Sequence, residues 1–286
     1  MTPTMEDLCD RQALRRWRRG HGTVGFVPTM GALHAGHLSL VEAARRQSDR
    51  VIVSIFVNPS QFAPNEDFNR YPRTLERDRH LLEQAGCAAL FHPSVAEIYG
   101  DHNQTMVHVE PLGSDLCGRF RPTHFRGVAT VVAILLNLIQ PDRLFLGWKD
   151  YQQMVILRRM AQDLALPVEV VGVPIVREAD GLAMSSRNRY LAPAERQRAV
   201  GIHQALLAAH AARRGGEKGV LPLLAAARQA LASFDIQDID YVELRHADTL
   251  QPLPDAELSE GTDPVLLIAA RIGSTRLIDN RVLSLA

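Results

Sequence analysis

The chain has 286 residues, 46% of them hydrophobic and 22% charged, enough for one large or two moderate globular domains with a sizeable core. Lysine plus arginine and aspartate plus glutamate stand at 32 each, so no net field recruits nucleic acid, and no apolar run approaches the ~18 residues of a membrane helix. Cys9, Cys87 and Cys117 are odd in number and widely spaced, giving neither a disulfide framework nor a zinc pattern; with no secretory signal read in residues 1–7, the expectation is a cytoplasmic protein without nucleic-acid or membrane partners.

Residues 11–19 are locally basic (Arg11, Arg15, Arg16, Arg18, Arg19) and read as a solvated helix face. Residues 23–27 form a short apolar run ended by Pro28, as in a buried strand, and helical periodicity over 38–46 turns Leu40, Val41 and Ala44 inward. Between them lies a glycine-rich turn, Met30-Gly31-Ala32-Leu33, and then His34-Ala35-Gly36-His37. The first amides of a helix lack partners within it and the dipole there amounts to roughly half a positive charge, so this end welcomes a phosphate. His34 and His37 stand one helical turn apart, so both imidazoles can face one point. Gly36 lets a flat base or ribose lie against the backbone. The pattern is thus fitted to hold the α-phosphate of a nucleotide and to neutralise charge that grows during attack on phosphorus. Two histidines at a surface helix end are the plainer alternative. Placement in the first βα turn of an open α/β sheet favours the nucleotide. The turn contains neither Gly-x-Gly-x-x-Gly nor Gly-Lys-Ser/Thr, which argues against a dinucleotide site and a P-loop.

Residues 51–57 are a continuous β-branched run, a strand covered on both faces. Asn58 and Gln61 follow at its carboxyl end, where they either hydrogen-bond a small polar substrate or cap a turn. Pro72 opens a charged helix that Gly86 closes, and residues 88–91 form the next strand. The segment 113–127, with Arg119, Arg121, His124 and Arg126, is cationic and glycine-rich and is read as a loop, either binding an anion or simply solvated. An apolar helix over 128–139 is buried or lies at a subunit contact. Residues 144–147 form another strand, ending at Gly147, and lead through Trp148, Lys149 and Asp150 into a helix to residue 164 that carries Gln153; here Lys149 suits a phosphate and Asp150 ribose hydroxyls, although both are also common solvent-facing residues. A strand over 168–176, ending at Val176, gives way to a polar loop, Arg177 to Asn188, holding Met184, Ser185, Ser186 and Arg187.

Strands and helices alternate as far as residue 176, the pattern of βαβ units. Beyond it come helices over 193–214 and 221–234 and strands over 241–244, 265–272 and 275–278. The expected architecture is α/β: a Rossmann-like parallel-sheet domain over 1–177 and a smaller α+β domain over 178–286.

The motifs Pro-Thr-Met-Gly-Ala-Leu-His-x-Gly-His, Phe-Val-Asn-Pro-x-Gln-Phe, Tyr-Pro-Arg-Thr, Arg-Pro-x-His-Phe-Arg-Gly-Val-Ala-Thr-Val-Val, Gly-x-Lys-Asp-Tyr-Gln-Gln and Arg-x-x-Asp-Gly-Leu-Ala-Met-Ser-Ser-Arg-Asn occur in this order along the chain. As a set they resemble the pantothenate synthetase (pantoate–β-alanine ligase) family over nearly the whole length. The resemblance implies a fold related to class I aminoacyl-tRNA synthetases, a carboxyl-terminal lid, a homodimer, and ATP as cosubstrate with Mg²⁺ but no assigned protein metal ligands. It also implies the reaction: pantoate and β-alanine give pantothenate, AMP and pyrophosphate through a pantoyl adenylate. Carried over by motif, His34, His37, Lys149 and Arg187 are catalytic. Met30, Gly31, Gly36, Gly147, Asp150, Val176, Met184, Ser185 and Ser186 complete the ATP site, and Gln61, Gln153, Asn58 and Arg121 serve the acid and amine substrates. Two positions depart from the family pattern: Trp148 stands where an acid is usual, and Thr123 where glycine is usual, the latter expected to cost backbone freedom near Arg121. A nucleotidyltransferase of the same superfamily would keep the first motif but has no place for the glutamines.

Overall fold

The computed structural model describes residues 5–20, 22–64, 66–254, 256–259, 261 and 263–284; residues 1–4, part of the stretch read for a signal, lie outside them. The chain divides into two compact units, Met1–Trp148 with Ile156–Pro174, and Lys149–Val155 with Ile175–Ala286.

The first unit runs β1 (Glu6–Leu8), α1 (Arg11–Arg18), β2 (Val24–Thr29), α2 (Ala35–Gln47), β3 (Arg50–Ile55), α3 (Leu75–Gln84), β4 (Ala89–Phe91), α4 (Val95–Tyr99), α5 (Cys117–Phe120), α6 (His124–Ile139), β5 (Arg143–Gly147), α7 (Tyr151–Asp163) and β6 (Glu169–Val173). The first five residues of α7 group with the second unit. The strands form one sheet in the order β1-β4-β3-β2-β5-β6, every pair parallel. Its central strands are apolar on both faces, with Val51, Ile52, Val53 and Leu144 to Leu146 buried, as a sheet covered by helices requires. The chain leaves β2 on one side toward β3 and β4 and returns on the other at β5. The order therefore reverses between β2 and β5, and a ligand crevice forms beyond the carboxyl ends of strands at such a point. Thr29 and Gly147 end those two strands.

Three sequence expectations need correcting. β2 does not end at Pro28 but runs through it, Pro28 pairing in register with Ser54 of β3; registered pairing with β5 covers only Gly25 and Phe26, so the missing proline N–H falls beyond that ladder. α3 starts at Leu75, after Thr74, not at Pro72; a proline suits the extended lead-in as well as a first turn, because neither position needs its N–H. The segment 113–127 is not a loop throughout, since α5 and the first turn of α6 lie within it. Its glycines serve close packing: a Cβ on Gly118 would lie 2.1 Å from Gly113 O, and one on Gly127 2.4 Å from Ser60 O. α6 is buried along most of its length.

In the second unit, α8 (Pro193–Arg214) and α9 (Val220–Ser233) pack on an antiparallel sheet, β7 (Ile239–His246), β8 (Pro264–Ile272) and β9 (Thr275–Val282), with β8 in the middle. Pro193 opens α8 and Glu195 reaches back to the Ala192 amide at 2.9 Å. Ile202, Leu206, Leu223, Leu231, Ile268 and Leu277 form the heart of its core. Gly201 lets α8 approach Phe234, whose Cβ would stand 2.5 Å from an added methyl group.

Candidate active site

In the first unit the turn after β2 uses two successive left-handed residues, Gly31 (φ 81°) and Ala32 (φ 51°), to swing the chain from strand to helix. Ala32 adopts this conformation at a cost of roughly 1–2 kcal/mol. The turn is held from below by Asp78 of α3, which is wholly buried. Its carboxylate accepts from the amides of Ala32 (2.8 Å) and Leu33 (2.9 Å) and from the hydroxyl of Thr74 (3.0 Å). Sequence reasoning missed Asp78, because one acid among the charges of residues 76–79 looks like any solvated helix residue.

His34 caps α2, its Nδ1 accepting from the Gly36 amide at 3.1 Å, and His37 Nδ1 accepts from the His34 amide at 3.3 Å. The ring centroids are 4.1 Å apart and the planes 39° from parallel. Because both Nδ1 atoms accept, the neutral tautomer of each ring that these bonds require carries its hydrogen on Nε2. Of the amides expected to stand bare at this helix end, that of Gly36 donates to the His34 ring, and those of Ala32, Leu33 and His34 just before it also donate to side chains. Gly147, at the end of β5, leaves room above α2, a Cβ there meeting only Leu40 Cδ2 at 4.0 Å.

Asn58 and Gln61 are buried around a short 3₁₀ turn, Pro59–Gln61. Asn58 both caps that turn, through the Ser60 amide at 3.3 Å, and donates to Gln61 Oε1 at 3.0 Å. Gln61 Nε2 lies 3.1 Å from Met30 Sδ, which brings Met30 and Gln61 together. Arg121 is clamped by Glu66 through two bonds, Nε to Oε1 at 2.6 Å and Nη2 to Oε2 at 2.8 Å. Burial raises the Glu66 carboxyl, and the Arg121 bonds and charge, helped by the Ala63 amide and His124, outweigh that and hold it below the ordinary value. Thr123 has φ −98°, open to any residue, so its replacement of glycine imposes no backbone cost. Trp148 is 37% exposed, its ring reaching solvent.

In the second unit Lys149 Nζ lies 3.5 Å from Asp150 Oδ1, and Asn280 of β9 donates to the Lys149 carbonyl at 3.1 Å. Gln153 is half-buried on the first turn of α7. Val176 does not lie in a strand, because β6 ends at Val173; its carbonyl accepts from the Met184 amide at 3.0 Å and starts a small hairpin, closed by Glu178 N to Leu182 O at 2.9 Å. Arg177, in that hairpin, makes a two-bond pair with buried Asp279 at 2.6 and 3.0 Å. Asn188 donates to Glu178 at 2.6 Å, and Arg196 pairs with Glu178 at 2.6 Å. Ser185 then caps a 3₁₀ turn, Ser186–Tyr190, by accepting from the Arg187 amide at 3.3 Å. The polar loop is thus a braced structure, and Glu178, Arg196 and Asp279 are bracing residues that the sequence did not single out. Among the described residues no group of three or more His, Cys, Asp or Glu side chains is placed to hold a metal ion, and no helix is long and apolar enough to cross a membrane.

A parallel α/β sheet whose turn after β2 sets two tilted imidazoles 4.1 Å apart at a helix start has the form of a nucleotide-binding domain. The comparisons narrow the class. The family described as pantoate-beta-alanine ligase matches residues 4–282. The chain is 55% identical over 283 residues to the pantothenate synthetase of Magnetococcus marinus, covering 98% of this chain and 96% of that one, and 50% identical to that of Thermotoga neapolitana, covering 98% of each. It superposes on a pantothenate synthetase structure from Thermus thermophilus with a TM-score of 0.92 at 48% identity, covering 98% of this chain and 99% of that one. The pantoate-beta-alanine ligase of Francisella tularensis, solved with beta-gamma ATP and beta-alanine, gives 0.80 at 32% identity, with 98% of each chain covered. The chain belongs to the pantoate–β-alanine ligase family, and its activity is that of a ligase forming pantothenate.

Proposed function

We propose that this ligase works in two steps at the residues described above. The carboxylate of pantoate attacks the α-phosphorus of ATP, pyrophosphate leaves, and a pantoyl adenylate forms. The amine of β-alanine then attacks the acyl carbon, AMP leaves with the bonding pair, and the amine gives up a proton. The observation that carries the reading is the imidazole pair 4.1 Å apart, each ring with its hydrogen on Nε2. A carboxylate is already a nucleophile, so the protein must chiefly align it and neutralise the phosphorus oxygens. His34 and His37 stabilise the α-phosphate as charge grows. Lys149, Ser185, Ser186 and Arg187 hold phosphates, Gly147 and Asp150 the ribose, and Val176 and Met184 the base, with Met30, Gly31 and Gly36 lining the nucleotide pocket. Gln61 and Gln153 bind pantoate, Asn58 supports Gln61, and Arg121 serves the anionic substrates once Glu66 yields it. Mg²⁺ enters with ATP as part of the substrate, carried by the phosphates and its own waters. The reading includes a cytoplasmic homodimer with a nucleotide domain over 1–177 and a lid over 178–286.

The test is ATP–pyrophosphate exchange with Mg²⁺, with and without D-pantoate, and with β-alanine left out. Exchange that requires pantoate supports the adenylate. No exchange, with AMP appearing once β-alanine is added, would mean that the adenylate forms but pyrophosphate is not released or rebound; no product even with all three substrates would overturn the substrate assignment.

A further inference from the structure

Tyr99, the last residue of α4, has no part in the steps above. Its hydroxyl lies 2.6 Å from Asn58 Oδ1 and 2.8 Å from Ser60 Oγ. Burial pushes its phenol up from the ordinary value, against the bonds to Ser60 and Asn58, so it keeps its proton.

The neighbours of Asn58, itself 1% exposed, sort the two ends of its amide. The carbonyl of Gly127, 3.2 Å from one end, can only accept, so that end is Nδ2. The other end receives the Ser60 amide at 3.3 Å, an obligate donor, and is therefore Oδ1; the Tyr99 hydroxyl donates to it at 2.6 Å, and the Ser60 hydroxyl, 2.9 Å from Oδ1 and 2.8 Å from the Tyr99 oxygen, has one hydrogen to give to either. Nδ2 also faces Gln61 at 3.0 Å, so the atom it meets there is Oε1. Gln61 therefore has its NH₂ at the far end, beside Met30.

We infer that Tyr99 is a positioning residue: by holding Asn58 in one orientation it fixes Gln61 with its NH₂ outward, as a donor to an oxygen of the acid substrate. The inference rests on the ligase reading and deepens it. Gln61 then recognises a hydroxyl or carboxylate oxygen and discriminates against an acid that lacks one at that place, since its own NH₂ would be left unpaired.

Two variants test this. Asn58→Asp puts an acceptor where Nδ2 stands, so Gln61 must turn its NH₂ inward. The KM for pantoate rises about tenfold or more, the scale of one mispaired buried group, while the KM for ATP stays within about twofold. Tyr99→Phe removes one donor and raises the pantoate KM about three- to tenfold, again with the ATP KM unchanged. A merely structural role would lower thermal stability and affect both substrates alike. An unchanged pantoate KM in Tyr99→Phe, or equal losses for pantoate and ATP, overturns the inference; if Asn58→Asp fails to fold, Tyr99→Phe decides alone. Pantoate-dependent exchange in the wild type, measured alongside, separates a failed relay from a failed ligase reading.

Discussion

The buried carboxylate of Asp78 holds the amide of Ala32 at 2.8 Å, and the left-handed turn that aims the histidines is built on that bond. Asp78→Ala leaves two amides and the Thr74 hydroxyl without their acceptor. Each costs about 1–3 kcal/mol when stranded, so urea unfolding should show a loss of about 3 kcal/mol or more, and ATP affinity should fall with it. A loss under about 1 kcal/mol would mean that water or a neighbour replaces the carboxylate and that the turn is held elsewhere.

His34 and His37 each combine a capping role with the role proposed in catalysis, and substitutions can separate the two. Asparagine is among the best helix caps, so His34→Asn should keep stability within about 0.5 kcal/mol and still slow adenylate formation roughly 100-fold. His37→Ala should lose about 1 kcal/mol of stability with a similar drop in rate. Single-turnover formation of pyrophosphate gives the rates and thermal melts the stabilities. Near-normal rates in either variant would remove that ring from the mechanism.

The patterns that the sequence shows most clearly are those fixed by local chemistry. Continuous apolar runs gave β3 and β5, and Pro193 with Gly215 bracketed α8. The histidine turn was recognisable because its residue types and spacing are local, and the geometry proposed for phosphate follows from them directly. What escaped depends on partners far along the chain. Asp78 acts across 46 residues on Ala32, Tyr99 across 41 on Asn58, and Arg177 across 102 on Asp279. Gly118 and Gly127 look like loop residues until their close neighbours, Gly113 O and Ser60 O, are seen.

The Glu66–Arg121 pair makes stability depend on acid. The Glu66 carboxyl lies below its ordinary 4.5 in the folded chain, so its contribution is complete above that value and is lost as pH falls through the lowered one. Glu66→Gln should be less stable than the wild type at pH 6, and the gap should close as both are taken below about pH 4. Melting curves across pH 3–7 measure it. A gap that stays constant across this range would mean that packing, not charge, explains the difference.

Gly127→Ala should be costly for its size. The added methyl would stand 2.4 Å from Ser60 O and 2.7 Å from Gln61 Cα, both backbone atoms that do not yield easily. Overpacking of this kind costs about 1–3 kcal/mol. The shift passes to Gln61, so pantoate affinity should weaken along with the melting temperature. Wild-type values for both would show that α6 and the 3₁₀ turn slide apart freely.

The order of the parallel sheet also bears on the chain's synthesis. Gly25 and Phe26 of β2 pair with Arg143 and Leu144, so while the chain emerges from the ribosome the central strand has one flank bare until β5 appears. An unpaired apolar edge of that kind is a template for strand addition from another chain, and non-local parallel pairing is slow to form. A chain that ends before Arg143 therefore has the histidine turn next to an open seam.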